Sequence, residues 1–175
     1  MMLIFCVICI VIYFLHPSPD VYGVSLHNLL GAFTYQFLHG NLLHLAINIA
    51  SLLLLYKPFK FIYGNRFDYD NDLVLFLIIY AGSVLAALVT PLSIPTVGAS
   101  GMVFFILGTI LGLRPTKQQF INYIWVFLGI IVSVIMGHSN TLLHIAAFLI
   151  GVLFAIMRIK YDDCRTENNR RVQTN

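Results

Sequence analysis

The sequence predicts an all-α, polytopic membrane protein with six transmembrane helices. Hydrophobic residues make up 59% of its 175 residues, charged residues make up only 10%, and the mean hydropathy is +0.89. Such a composition is typical of a membrane protein and not of a soluble globular domain. Six apolar runs are present, which is the number of spans that a chain of this length can hold.

The six runs are separated by polar or proline-bearing segments. The first run lacks the basic n-region and cleavage site of a signal peptide, so it is interpreted as a retained span. Its cysteines, Cys6 and Cys9, are predicted to be small packing residues and not a redox pair. A membrane domain is predicted over residues 1–158, followed by a polar tail over 159–175 that is disordered beyond its first turn. The predicted spans cover residues 1–15, 37–56, 73–90, 98–113, 119–136 and 141–157.

The distribution of basic residues predicts the orientation. All ten Lys and Arg follow the second, fourth or sixth run, and the other loops contain none. The positive-inside rule then places both termini in the cytoplasm and the first, third and fifth loops outside, in a plasma or inner membrane. Orientation and attraction to anionic lipid account for the net charge of +3, so no nucleic-acid partner is predicted.

Polar side chains within the spans indicate a functional interior. They are costly in hydrocarbon and are expected to face the bundle core, although hydrogen bonding between helices is the alternative explanation. His44 and Asn48 are four residues apart and share one helix face. His39 and His44, taken as one helix, lie about 140° apart and cannot bind one metal ion, so neither a metal nor a cofactor is predicted. The residues concerned are His39, Asn41, His44, Asn48 and His144.

Ser100 begins the fourth apolar run within the sequence Gly98-Ala99-Ser100-Gly101. A hydroxyl at a helix N-terminus lies where backbone N–H groups favour a developing negative charge. No Asp or Glu lies between Leu73 and Tyr161, which excludes a paired-aspartate protease, a carboxylate-lined ion path and the acid of a Ser-His-Asp triad. A nucleophile with a base remains possible, with Ser100 deprotonated by His144.

Small residues at helical spacing predict that the fourth and sixth spans touch. His44, Asn48 and the Ser100 N–H are candidate donors to an oxyanion, and Phe104 is positioned to stack on the His144 ring. The residues on the two facing stripes are Ser100, Phe104, Gly108 and Gly112 on one helix, and His144, Ala147, Gly151 and Ala155 on the other.

These residues resemble the rhomboid family of intramembrane serine proteases over roughly residues 33–155. The resemblance depends on three motifs: His39-Gly-Asn-Leu-Leu-His44-Leu-Ala-Ile-Asn48, Gly98-Ala99-Ser100-Gly101, and His144 followed by Gly151. It implies that Ser100 is the nucleophile and His144 the general base, with His44 and Asn48 in the oxyanion hole. It further implies that His39 is a structural hydrogen-bonding residue, that Gly98 and Phe104 line the site, and that Gly101 permits close packing beside the serine.

The sequence departs from the family pattern at four positions. The first loop has no arginine near Gly31, and Lys60 stands where the family has a glutamate. Ala147 replaces a glycine after the base, and Phe104 replaces a tyrosine. None of these changes removes a reacting group, so we expect them to affect loop anchoring, stability and rate.

The resemblance implies a Ser-His serine endopeptidase that hydrolyses peptide bonds in or near transmembrane segments of membrane-protein substrates, toward the outer face. Substrates are expected to enter laterally from the bilayer beside the fifth span, near Trp125 and Phe127, and His39, Asn41 and His138 are candidates for a water-accessible cavity. The main alternative is a non-catalytic rhomboid-like protein that binds transmembrane clients. A small channel or transporter is disfavoured because the spans contain no carboxylate and no inverted repeat.

Overall fold

The computed structural model describes residues 1–67, 71–90, 92–113 and 141–173, and these residues form helices and loops without a β-strand. A short helix α2 (Pro19–Tyr22) and two 3-10 turns (Leu29–Phe33 and Tyr35–Phe37) lie in the first loop. The long helices are α1 (Met2–Leu15), α3 (Leu42–Phe67), α4 (Asp72–Val89), α5 (Ser100–Leu113) and α6 (Thr141–Gln173).

The all-α polytopic class is confirmed, and the long helices correspond to five of the six predicted spans. The predicted fifth span, with Trp125 and Phe127, lies outside the described residues, as does His138. Three described helices, α3, α4 and α6, are long and apolar enough to cross a membrane, while α1 and α5 are apolar but have only 14 residues each.

The bundle exposes large apolar side chains in the way that a lipid-facing protein does. Leu15 is 72% exposed and Leu54 is 75% exposed, whereas Cys6 and Cys9 of α1 are buried and unbridged. Their predicted role as packing residues is confirmed. In a bilayer the outward apolar surface is solvated by acyl chains, so it needs no protein cover.

Helix α5 lies in the core and packs closely on α6. A Cβ atom on Gly108 would overlap the carbonyl oxygen of Phe148, and one on Gly151 would overlap the carbonyl oxygen of Phe105. Only glycine permits such close approach of the two backbones. The predicted contact between these helices is therefore confirmed, and it brings their N-termini to the same end of the bundle.

Helix α3 begins five residues later than predicted, at Leu42. The side chain of Asn41 accepts a hydrogen bond from the backbone N–H of His44 at 2.8 Å, which caps the helix. His39 therefore lies in the preceding loop, and the predicted 140° separation of His39 and His44 on one helix was wrong.

Helix α3 passes its predicted end at residue 56 and continues to Phe67. Pro58 lies inside the helix and removes one backbone donor. Aromatic packing compensates for that loss: Phe59 stacks on Tyr63 at 5.6 Å between ring centroids, and Tyr63 stacks on Phe154 of α6 at 6.1 Å. The second of these contacts connects the last part of α3 to α6.

Helix α6 likewise passes its predicted end at residue 157 and continues to Gln173, so the prediction of a disordered tail was wrong. Arg158 pairs with Asp162 at 3.5 Å, and Thr166 donates to the Asp162 carbonyl at 2.9 Å. Pairs spaced by four residues stabilise a helix that leaves the apolar core. The division of the chain into residues 1–158 and 159–175 stays a prediction.

Candidate active site

Ser100 and His144 meet at the end of the bundle where α5 and α6 begin. Ser100 is the first residue of α5 and is half-buried, and His144 lies in the first turn of α6 and is 7% exposed. The Nε2 atom of His144 lies 2.7 Å from the Oγ atom of Ser100. The predicted contact between the hydroxyl and the imidazole is therefore confirmed, at a distance that permits direct proton transfer.

Phe104 lies one helical turn below Ser100 and covers the face of the imidazole. The two rings stack with their centroids 4.5 Å apart and their planes 15° from parallel. The predicted stacking is confirmed. Because Ser100 and Phe104 share one face of α5, the same helix presents the hydroxyl and fixes the plane of the histidine ring.

Gly98 holds the loop before Ser100 against two side chains of α3. Its φ of +121° is a conformation that favours glycine, and a Cβ atom there would lie 2.7 Å from Nε2 of His44 and 3.3 Å from Nδ2 of Asn48. Asn48 is 5% exposed, and its Nδ2 has no hydrogen-bond partner within the described ranges. Two side-chain nitrogens thus converge beside the backbone that leads to Ser100.

His39 contacts the site through His44 and not through a hydrogen bond. The two rings meet edge to face, with centroids 5.2 Å apart, and neither ring nitrogen of His39 has a hydrogen-bond partner among residues 1–67, 71–90, 92–113 and 141–173. Burial lowers the pKa of His39 to about 4, so this ring is neutral at physiological pH. The role of His39 as a structural hydrogen-bonding residue stays a prediction.

A cavity of about 230 Å³ lies beside His39, between the end of α1 and the loop segments at Leu38 and Val97. The expectation that His39 borders a cavity agrees with this position. Asn41, the second candidate, is exposed and caps α3. In the part of the chain that the structure describes, no three His, Cys, Asp or Glu side chains are arranged to hold a metal ion.

The first loop anchors the segment that carries Gly98. Val24 and Thr96 exchange two backbone hydrogen bonds, of 3.1 and 2.9 Å, and the N–H of Leu26 donates to the carbonyl of Leu92 at 2.8 Å. These bonds connect the first and third loops directly. They anchor the backbone that precedes Ser100 to the first loop.

Asn28 cross-links the first loop in place of the expected arginine. Its Nδ2 donates to the carbonyls of Val21 at 2.8 Å and Gly23 at 3.0 Å, and its Oδ1 accepts from the N–H of Gly31 at 3.3 Å. A Cβ on Gly31 would overlap the Gly23 carbonyl, so no arginine fits at that position. The role of Asn28 was not predicted from the sequence, because an asparagine in a loop is usually an ordinary turn residue.

Replacement of Asn28 by alanine is expected to lower the free energy of unfolding by about 2 kcal/mol, because three backbone groups lose their side-chain partner. Unfolding in detergent micelles measures this change. His27→Ala is the matched control, since His27 is the exposed neighbour. Equal unfolding of both variants and the parent would contradict the anchoring role.

Lys60 replaces the expected glutamate, and its partner carboxylate lies on the next helix. Its Nζ lies 2.9 Å from Oδ1 of Asp72, and the hydroxyl of Tyr56 donates to the same oxygen at 3.1 Å. The pair connects α3 and α4 toward the end of the bundle that lies away from Ser100. The reversed charge at position 60 is thus matched by Asp72.

Gly101 has no room for a side chain, as predicted. A Cβ there would lie 2.5 Å from both Oγ of Ser83 and the hydroxyl of Tyr35. These two residues were not predicted from the sequence. Tyr35 and Ser83 are 48 positions apart, so no local pattern in the sequence signals that they meet beside the residue after Ser100.

A comparison with protein-family models identifies the family. The model described as Rhomboid domain matches residues 26–161, which is well over half of the chain. A search of curated proteins found no match. Rhomboid proteins are generally intramembrane proteases, and the matched range contains Ser100, His144, His44, Asn48, His39 and Phe104. Given this match and its apolar helices, the chain is an integral membrane protein that belongs to the rhomboid family.

Proposed function

We propose that this protein is an intramembrane serine endopeptidase that hydrolyses peptide bonds in or near transmembrane segments of other membrane proteins. The observation that carries the proposal is the 2.7 Å separation between Ser100 Oγ and His144 Nε2. A serine hydroxyl is a weak nucleophile on its own, and a base within hydrogen-bonding distance is what activates it.

In the first step Ser100 Oγ attacks the carbonyl carbon of the scissile bond while its proton passes to Nε2 of His144. The imidazole must carry its proton on Nδ1 to accept at Nε2. The stacked ring of Phe104 keeps Nε2 directed at the hydroxyl, which is a task that a carboxylate performs in a triad.

The tetrahedral oxyanion needs hydrogen-bond donors, and the site offers three. The Ser100 N–H lies in the first turn of α5, where it has no intrahelical partner, and His44 and Asn48 present side-chain nitrogens to the adjacent backbone. Collapse of the intermediate breaks the C–N bond, and His144 gives its proton to the leaving amine. Water then attacks the acyl carbon while His144 takes a proton from it. The bond between the acyl carbon and Ser100 Oγ breaks, His144 returns its proton to Oγ, and the product leaves as a carboxylic acid that ionises in water.

Substrates are membrane-spanning segments, which reach the site by diffusion within the bilayer. The distribution of Lys and Arg supports a cytoplasmic position for both termini and a site toward the outer face. A helix keeps its carbonyls in hydrogen bonds, so a segment must unwind before Ser100 can attack. We therefore expect preference for segments with helix-destabilising and small residues at the cleaved bond.

A fluorophosphonate probe tests the function directly, because it reacts covalently with activated serines only. The reconstituted protein is expected to be labelled at Ser100 and to cleave a labile transmembrane substrate, whereas Ser100→Ala does neither. Failure of the parent to label and to cleave several substrates would favour the alternative, a non-catalytic protein that binds transmembrane clients.

Replacement of Gly98 by alanine is expected to lower kcat by about 100-fold, since a methyl group would displace His44 and strain the backbone two residues before Ser100. Cleavage of a fluorogenic membrane substrate measures the effect. Gly40→Ala is the control, because a Cβ there has no atom within 4 Å. If the two variants cleave at the same rate, Gly98 has no special role in the site.

A further inference from the structure

Tyr35 lies beside the candidate site but has no role in the proposed catalytic steps. It lies in the second 3-10 turn and is fully buried, as is Ser83 of α4. Its hydroxyl lies 2.6 Å from Oγ of Ser83 and donates to the Ser83 carbonyl at 3.2 Å. Burial raises the pKa of Tyr35, so the phenol stays protonated and can donate.

The same residue contacts the nucleophile's loop on both sides of Ser100. Its carbonyl accepts the N–H of Gly98 at 2.8 Å. Its hydroxyl and Oγ of Ser83 both lie 2.5 Å from the position that a Cβ of Gly101 would occupy. Thus the carbonyl of Tyr35 fixes Gly98, two residues before Ser100, and its hydroxyl packs against Gly101, the residue after Ser100.

We infer that Tyr35, through its bond to Ser83, is a positioning residue that sets where Ser100 begins α5 relative to His144. The inference depends on the proposed protease function. The backbone on both sides of Ser100 contacts Tyr35 or its partner Ser83, at Gly98 and at Gly101, so the position of the Ser100 Cα depends on these two residues. A displacement of about 1 Å at the nucleophile can lower the rate by two orders of magnitude. The packing of Tyr35 and Ser83 against Gly101 therefore matters for catalysis.

A purely structural role makes a different prediction. If the Tyr35–Ser83 bond only stabilises the fold, its loss lowers the unfolding midpoint and leaves kcat of the folded enzyme unchanged. If it positions Ser100, kcat falls while KM stays near the parent value, because substrate binding does not use these groups. The two roles are therefore separable by kinetics on folded protein.

The first test compares Tyr35→Phe and Ser83→Ala with Tyr80→Phe. Tyr80 is the matched control, since its hydroxyl also donates to the first loop, at the Phe33 carbonyl, but does not touch Gly101. We expect tenfold or greater loss of kcat for the first two variants, from about 1 Å or less of displacement, and none for the control. Equal kcat in all three would overturn the inference. If Tyr35→Phe does not fold, Ser83→Ala alone decides the outcome.

The second test refills the space beside Gly101. Gly101→Ala is expected to lower kcat strongly in the parent, where its methyl group would meet two oxygens. The double variant Tyr35→Phe/Ser83→Ala lacks both oxygens. In that background the methyl group of Gly101→Ala should fill the space that the two oxygens leave. We expect the effect of Gly101→Ala to differ by about tenfold or more between the two backgrounds, as contacting residues couple. The same effect in both backgrounds would overturn the inference.

Fluorophosphonate labelling separates this inference from the proposed function. A parent protein that is neither labelled nor active disproves the protease itself. A parent that is labelled, together with Tyr35→Phe and Ser83→Ala variants labelled at the parent's rate, leaves the protease intact and overturns only the positioning role.

Discussion

Replacement of His144 by alanine is expected to lower kcat by about a thousandfold and to prevent fluorophosphonate labelling of Ser100. The Oγ atom of Ser100 has His144 Nε2 at 2.7 Å, and no Asp or Glu occurs in the sequence between Leu73 and Tyr161 to take its place as a base. Cleavage of a reconstituted transmembrane substrate, followed with time, measures the loss.

His27→Ala is the matched control for that variant, because it removes an exposed imidazole from the first loop. It should cleave and label at the parent's rate. Labelling of Ser100 at an undiminished rate in His144→Ala would show that the serine is activated by another group, and the Ser-His dyad would be wrong.

Replacement of Gly151 by alanine is expected to have the largest effect on stability. Helix propensity alone would make an alanine stabilising by up to about 1 kcal/mol. The new Cβ would instead meet backbone atoms of α5, the carbonyl oxygen of Phe105 and the nitrogen of Thr109, which cannot rotate away. We therefore expect the free energy of unfolding to fall by about 3 kcal/mol.

The sign of the change tests this contact, since propensity and packing predict opposite directions. Unfolding of the purified protein in micelles measures it, and Leu149→Ala, on the exposed side of the same helix, controls for general effects of substitution in α6. An unchanged or raised unfolding midpoint for Gly151→Ala would mean that α5 and α6 do not approach at Gly151. Activity should fall together with stability, since the same helices carry Ser100 and His144.

The positions of the candidate site residues on the helices were predictable because their signals are local. An apolar run marks a helix, a serine among glycines marks its start, and His44 and Asn48 share a face by their spacing alone. The stripe from Ser100 to Gly112 predicted which face of α5 meets α6, and the close backbone approach at Gly108 confirms it. Each of these inferences needs only the period of a helix and the cost of a polar group in lipid.

Boundaries were less predictable because caps and distant contacts decide them. Asn41 starts α3 after His39, so a motif that reads as one helix is divided between a loop and a helix. Tyr63, in the part of α3 beyond its predicted end, stacks on Phe154 of α6, and hydropathy does not predict a contact between residues so far apart in the chain. The polarity of the tail predicts disorder, although the spacing of Arg158 and Asp162 suits a helix.

The sequence by itself determined the membrane class and the helix faces, because these depend on hydropathy and helical period. It predicted that Ser100 pairs with His144, and the structure places the two side chains 2.7 Å apart. Only the tertiary structure decided what surrounds them: Asn28 in place of an arginine, Asp72 as the partner of Lys60, and Tyr35 with Ser83 behind Gly101. These contacts join residues from separate loops and helices. The stabilisation that these contacts provide depends on which residues come close together in the folded protein, and no local sequence pattern predicts that.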